Sequence, residues 1–217
     1  MGLSRYYPAF LDIKNKRCLV VGGGSVAERK VSGLLKAGAA LVTVISPAIK
    51  NRLEKEKSRG EIKHLKRRFR ETDLKGAFIV IAATDSEEEN EKISGLAQRL
   101  NIPVNVVDRP GLCSFIVPST VRRGPLAIAV STSGTSPAMA RAIRKEIEKL
   151  YGPEFGTYLK KLNKIRSKAI SEMKDGSERS RFLKSLASEE ALKKLRKKDG
   201  SNPVKDAMRL PLKQRSF

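Results

Sequence analysis

The stretch Cys18-Leu-Val-Val-Gly22-Gly23-Gly24-Ser25-Val26-Ala27-Glu-Arg-Lys30 decides the fold. An apolar run ends in a glycine cluster, and a segment with helical character follows at once. Gly22, Gly24 and Ala27 fit the G-x-G-x-x-G/A spacing of a dinucleotide-binding turn. Each position has a physical reason. Gly22 allows the tight turn off the strand, Gly24 lets a pyrophosphate approach bare backbone, and Ala27 lets the helix pack closely on its strand. A phosphate placed there meets free N–H groups and roughly half a positive charge of helix dipole. A plain glycine-rich turn could share the spacing. The surrounding strand, turn, helix and second strand (Leu41-Val-Thr-Val-Ile45) favour the dinucleotide reading.

Outward from this turn, strands and helices alternate. Arg17 to Val21 reads as the first strand and Val26 to Ala37 as a helix, with Gly38 just past its end. Leu41 to Ile45 is the second strand, Ala48 to Arg59 a charged helix, and Glu61 to Leu65 a short edge strand. Phe78 to Ala83 is continuously apolar, as a strand covered on both faces should be. Ser86 to Leu100 is a helix whose Ser86 and Glu89 fit a capping box, and Pro103 to Val107 is a further strand. This β-α-β alternation predicts an α/β fold with a Rossmann-like doubly wound parallel sheet. The pattern changes at Asp108-Arg-Pro-Gly-Leu112. Two strands are expected next, Ser114 to Val121 and Leu126 to Ser131, followed by a helix opened by Ser136-Pro137 and running to about Leu150. Two or three helices are expected from Glu154 to Lys198, and a poorly ordered basic tail after Asp199-Gly-Ser-Asn-Pro203.

The 217 residues suffice for one large domain or two small ones, and 40% are apolar. No run approaches the ~20 apolar residues of a membrane-spanning helix, and Met1 to Pro8 shows no signal-peptide core. Cys18 and Cys113 are far apart and form neither a zinc spacing nor a disulfide framework, which makes the cytoplasm the expected compartment. The net charge is +22. Residues 1–112 carry 21 Lys and Arg against 13 Asp and Glu, a net of +8; residues 113–217 carry 24 against 10, a net of +14. Such a field attracts polyanions, either nucleic acid or a small polycarboxylate.

Three features lie at strand carboxyl ends, where open parallel sheets bind their ligands: the glycine turn, Ala83-Thr84-Asp85, and Asn105-Val-Val-Asp108. Asp108 is the carboxylate best placed to face a ligand, although a turn residue bonding its own backbone before Pro110 would look the same. Asp85 is open to the same alternative as a helix cap. The second strand ends in Ser46-Pro47, where a nicotinamide site usually offers an acid, so the form of the cofactor is not readable there. The loop Ser131-Thr132-Ser133-Gly134-Thr135-Ser136 leads into a helix N-terminus and, with Arg141, would suit carboxylates; it could equally be a polar capping loop. His64, the only histidine, sits in a basic stretch and is expected to be exposed rather than catalytic. No His/Cys cluster suggests a structural metal.

Five motifs in order, Arg17 to Lys30, Ala82 to Asp85, Asn105 to Asp108, Cys113-Ser-Phe-Ile-Val-Pro-Ser119 and Ser131 to Arg141, make the chain resemble the precorrin-2 dehydrogenases. These are the dehydrogenase half of siroheme synthase and its stand-alone relatives. The resemblance covers residues from about 6 to 190. It implies oxidation of precorrin-2 to sirohydrochlorin with NAD, in siroheme or cobalamin synthesis, with ferrous iron insertion in some members. It implies a Rossmann domain (1–112), a small α+β dimerisation domain (113–150) and a C-terminal helical domain (151–217), in a homodimer. NAD would be held by Gly22, Gly23, Gly24, Ser25 and Val26, with Ser46 and Pro47 along the adenosine and Thr84 and Asp85 nearby. Asp108 matches the essential carboxylate. Ser114, the Ser131 to Ser136 loop and Arg141 match the tetrapyrrole side. The family loop often reads Ser-Ser-Gly-Gly-Thr-Ser-Pro, so Thr132 and Ser133 depart from it. No methyltransferase half follows in this sequence, so the chain is not expected to make precorrin-2 itself by the usual fused arrangement.

The charge agrees with this, since precorrin-2 is a polycarboxylate that a basic protein gathers at long range. Two rival readings use the same residues. A regulatory NAD-binding protein without catalysis has Asp108 against it. A basic nucleic-acid-binding protein with a Rossmann core has the 5% aromatic content, the lack of Trp and the absence of any recognised motif against it.

Overall fold

The computed structural model describes residues 6–197. The chain divides into two compact units, one ending at Val117 and one beginning at Pro118.

In the first unit, β1 (Arg17–Val21), β2 (Leu41–Ile45), β3 (Ile62–Leu65), β4 (Ile79–Ala82) and β5 (Val104–Val106) form a parallel sheet in the order β3-β2-β1-β4-β5. Val20 lies between Val44 of β2 and Ile81 of β4. The sequence of β1 alternates between two cores. Cys18 and Val20 pack with Ala27, Val31 and Leu34 of α1 (Ser25–Lys36) and with Leu53 of α2 (Asn51–Ser58). Leu19 and Val21 pack on the opposite face with Ile93 and Ala97 of α3 (Glu87–Arg99). Both faces are covered, so every residue from Cys18 to Val21 is buried and the strand is apolar throughout. Burial in this core pushes the Cys18 thiol up to about 11, which leaves it a small inert packing residue.

The doubly wound sheet is as expected, and the differences are local. The helix expected over Ala48 to Arg59 begins only at Asn51, because the Ser46 hydroxyl donates to Ala48 O at 2.7 Å and holds the chain in a turn. The crossover from β3 to β4 is a single 3-10 turn (Glu71–Leu74) rather than a helix of any length. Asp73 closes it, accepting from the Arg67 guanidinium at 2.6 and 2.8 Å and from the Arg70 N–H at 2.8 Å. Arg17 adds a bond from its guanidinium to Asp73 O at 2.9 Å. Ser86 caps α3 by accepting from the Glu89 N–H at 3.2 Å.

The strand expected over Ser114 to Val121 is corrected. Its first residues close the edge of β5 instead. The Ser114 N–H donates to Val104 O at 2.9 Å, and the Ser114 hydroxyl accepts from the Val104 N–H at 2.8 Å. The first unit accordingly extends past residue 112 to Val117.

In the second unit, β6 (Ser119–Arg123) and β7 (Leu126–Val130) form an antiparallel hairpin, followed by α4 (Pro137–Leu150). The helical region that follows consists of α5 (Pro153–Glu172), α6 (Gly176–Ser185) and α7 (Glu189–Lys197). Phe155 and Tyr158 of α5 pack against Ala191 and Leu195 of α7. Gly156 lets α5 approach the hairpin turn, since a Cβ there would lie 2.7 Å from Arg123 O. The expected basic tail lies outside the described residues.

Candidate functional site

The sheet order reverses between β1 and β4, and the glycine turn sits at that reversal. The Gly22 N–H donates to Ile45 O at 2.9 Å, and the Ala83 N–H donates to Val21 O at 2.8 Å, so the turn is wedged between the ends of β2 and β4. Gly22 has φ +119°, and a Cβ there would lie 2.1 Å from Ala83 O. A Cβ on Gly23 would lie 1.9 Å from Ala48 O. At Gly24 a Cβ would meet nothing within 4 Å. Gly24 is also the N-cap of α1, and no side chain satisfies the first-turn N–H groups. The turn therefore divides its work. Gly22 and Gly23 are needed by the protein's own backbone, and Gly24 keeps space open at a helix N-terminus.

A crevice of about 440 Å³ opens at this place. Its walls bring together Gly22, Gly23, Gly24, Ser46, Pro47, Thr84 and Asp85, all anticipated from the sequence. Ser25 and Val26 follow as the first residues of α1. The Ser46 hydroxyl is committed to Ala48 O, so Ser46 offers the crevice backbone and bulk more than a free hydroxyl. Thr84 is held by Asn90, whose Oδ1 accepts from the Thr84 hydroxyl at 2.9 Å and whose Nδ2 donates to Thr84 O at 3.0 Å. Asn90 is buried and braces the wall, a role the sequence reading missed. Also missed were Arg68, Phe69, Glu88, Glu89 and Lys92, which complete the walls from the loop after β3 and the first turns of α3. The acidic run Glu87-Glu88-Glu89 was the one sequence signal at that wall. His64 is half-buried rather than exposed, with Nε2 2.9 Å from Ser46 O, and acts as a brace behind β2.

Asp108 stands just beyond β5 with φ +58°, in the left-handed region. Its side chain is exposed and forms no hydrogen bond with any described residue. The alternative of a carboxylate bonding its own turn is therefore not what the structure contains. Beside it, Cys113 Sγ accepts from the Val106 N–H at 3.1 Å, and Arg109 pairs with Glu87.

In the second unit, the Ser131 to Ser136 loop is bound largely to itself. The Thr132 hydroxyl accepts from the Ser136 N–H at 3.0 Å, the Ser131 hydroxyl accepts from the Ser133 N–H at 3.0 Å, and Ser136 caps α4 through the Met139 N–H at 3.2 Å. Ser133 has φ +53° and Gly134 φ +87°, which bends the loop sharply before the helix. Thr135 and Arg141 stay exposed.

Comparison with known proteins gives these features a family. Residues 9–119 match an NAD(P)-binding family model, and residues 123–150 match the model of the sirohaem biosynthesis protein central region. The chain belongs to the precorrin-2 dehydrogenase/siroheme synthase family. The siroheme synthase of Methylobacillus flagellatus is 52% identical over 149 residues, 69% of this chain and 32% of that protein. The siroheme synthase of Thioalkalivibrio sulfidiphilus is 44% identical over 181 residues, 83% of this chain and 37% of that protein. The chain thus spans about a third of the curated siroheme synthases it matches. The solved structure of SirC, precorrin-2 dehydrogenase, superposes with a TM-score of 0.72 over 94% of this chain and 100% of that one, at 23% identity. That likeness supports the family's fold here: the parallel sheet, the small β-hairpin region and the C-terminal helices.

Proposed function

We propose that the chain oxidises precorrin-2 to sirohydrochlorin, using NAD bound in the crevice at the glycine turn. The observation that carries this is the open Gly24 at an uncapped helix N-terminus in that crevice; Asp108, at the end of β5, is not among the residues that line it but bears a carboxylate without a hydrogen bond to any described residue. The crevice fits a dinucleotide: bare backbone and unsatisfied N–H groups suit a pyrophosphate, and Ser46, Pro47 and Phe69 enclose the side where an adenosine would lie. When bound, NAD supplies the hydride acceptor. Dehydrogenation removes one hydride and one proton from the substrate, and Asp108 takes the proton. A base on an exposed turn that commits none of its oxygens elsewhere is ready to accept one. Arg141 and the exposed side of the Ser131 to Ser136 loop bind carboxylates of the tetrapyrrole. The surplus of Lys and Arg over Asp and Glu draws the polyanion in.

Ferrous iron insertion is a second reading, supported by the same carboxylate, which could also receive protons released from pyrrole nitrogens. Iron is then a substrate. Among the described residues no group of three or more His, Cys, Asp or Glu side chains gathers as a resident metal site. Among the described residues no helix is long and apolar enough to cross a membrane. A cytoplasmic homodimer is the assembly proposed. The test follows precorrin-2 absorbance with NAD and the purified chain, first without and then with ferrous or cobaltous ion. Conversion to sirohydrochlorin with stoichiometric NADH is the expected result. NAD binding without turnover would support the regulatory reading, and DNA binding with a steep salt dependence would support the nucleic-acid reading.

A further inference from the structure

β2 ends without the carboxylate that the ribose of a nicotinamide cofactor usually meets, and the fold brings something else to that place. Ser46 is the first residue past β2, and its backbone is pinned to the end of β3 from both sides. Its N–H donates to Leu65 O at 3.3 Å, and its O lies 2.9 Å from His64 Nε2. Leu65 O also accepts from the Arg67 N–H at 2.8 Å, so the chain leaving β3 is held beside the end of β2. The Arg67 guanidinium then donates to Arg68 O at 3.0 Å and to both carboxylate oxygens of Asp73. Arg68 is therefore fixed by its backbone while its side chain stays exposed, and it lines the crevice together with Ser46, Pro47 and Phe69.

Charge is divided across that crevice. Its carboxylates, Asp85, Glu88 and Glu89, all come from the segment after β4 and the first turn of α3. The wall built by the ends of β2 and β3 has none and carries Arg68. The other cation of the crevice, Lys92, lies on α3 and pairs with Glu71 at 3.2 Å. Among the described residues the Arg68 guanidinium has no hydrogen bond or ion pair, whereas that of Arg67 beside it is committed to Asp73. In a dinucleotide fold the adenosine ribose lies at the end of the second strand. An acid there bonds the 2′-hydroxyl of NAD, and an arginine nearby takes the 2′-phosphate of NADP. A guanidinium suits that phosphate because it offers a planar fork of donors that is always charged.

We infer that Arg68 is a 2′-phosphate site: the crevice takes NADP at least as tightly as NAD, with Arg68 on the phosphate that distinguishes them. This rests on the dinucleotide reading of the crevice, and binding alone separates the two. Calorimetry is run at one ionic strength with NAD, NADP, AMP and adenosine 2′,5′-bisphosphate, the last two differing only by the 2′-phosphate. In the wild type NADP should match or exceed NAD, and the bisphosphate should bind more tightly than AMP. Arg68→Gln removes the charge from a side chain with no other described partner, so its melting temperature should hold. It should weaken NADP by roughly tenfold more than NAD, the size expected for a lost charge-assisted contact. Arg68→Glu puts an acid beside the ribose and should turn the preference to NAD. A wild type that binds NAD and takes NADP more weakly would overturn the 2′-phosphate site and leave the dinucleotide reading intact. So would an Arg68→Gln variant that changes both dinucleotides equally or neither. A wild type that binds none of these ligands would refute the dinucleotide reading itself, and this site with it.

Discussion

Gly22 and Gly24 are two residues apart and should fail in opposite ways when given a side chain. Gly22→Ala places a Cβ 2.1 Å from Ala83 O on a residue with φ +119°. The backbone must shift, and stability should fall by about 2–4 kcal/mol in chemical denaturation. Gly24→Asp meets open space, so the melting temperature should hold while the new carboxylate occupies the place of a pyrophosphate. NAD binding by calorimetry should then disappear; unchanged affinity would remove the dinucleotide reading of the turn. Asp108 gives a third pattern. Asp108→Ala should keep NAD binding and lose about 10²–10⁴ of the oxidation rate, the usual size of a general-base contribution. Iron insertion, if it shares the carboxylate, should fall in the same variant. A protein that melts lower and turns over at the wild-type rate would reduce Asp108 to a turn residue.

At the scale of elements, the crossover from β3 to β4 depends on one buried carboxylate. Hydrogen bonds from Arg67, then the Arg70 N–H and the nearby Arg67 and Arg17 charges, hold Asp73 below the ordinary carboxylate value against the opposing effect of burial. A folded pKa lower than the unfolded one means the stabilisation is complete above the unfolded value of about 3.9 and is lost as pH falls through the folded value. Asp73→Ala should therefore cost about 1–3 kcal/mol at neutral pH, the penalty for leaving buried donors unpaired. The gap between variant and wild type should narrow in melts below pH 4; a constant gap down to pH 2 would show that packing, not ionisation, carries the effect. The sheet around this crossover was legible because strands buried on both faces must be continuous apolar runs, as Leu19 to Val21 and Ile79 to Ala82 are. The run Ser114-Phe-Ile-Val117 has the same look and misled for a physical reason. Strand propensity says that a segment will be extended, not which partner its backbone finds, and here the open edge of β5 takes Ser114. The glycine turn and the ends of β2 and β4 could be read as crevice walls from local pattern. Arg68, Phe69 and Lys92 could not, because they reach the crevice only through the packing of a loop and a helix that no short-range spacing records.

At the scale of the whole molecule, the second unit offers the clearest argument about assembly. Its sheet has two strands, and a lone two-stranded ribbon is marginal in water. Of β6 and β7 only Val121 is fully buried. The helix after the hairpin, α4, keeps one buried residue, Ala140, although Met139, Ile143 and Leu150 are apolar and 55%, 36% and 52% exposed. A helix with that much uncovered apolar surface beside a half-covered hairpin calls for a partner, and the simplest partner with a matching apolar face is a second copy of the chain. Light scattering at micromolar concentration should then give twice the chain mass of 24.0 kDa. Ile143→Glu should shift the population to monomer, since a charge buried at a close apolar contact costs several kcal/mol unless paired. The first unit folds around its own two cores, so the monomeric variant should still bind NAD. Loss of precorrin-2 oxidation with NAD binding intact would place the tetrapyrrole side of the chemistry in the dimer. A wild-type monomer across the micromolar range would refute the assembly and leave the exposed face of α4 to another partner.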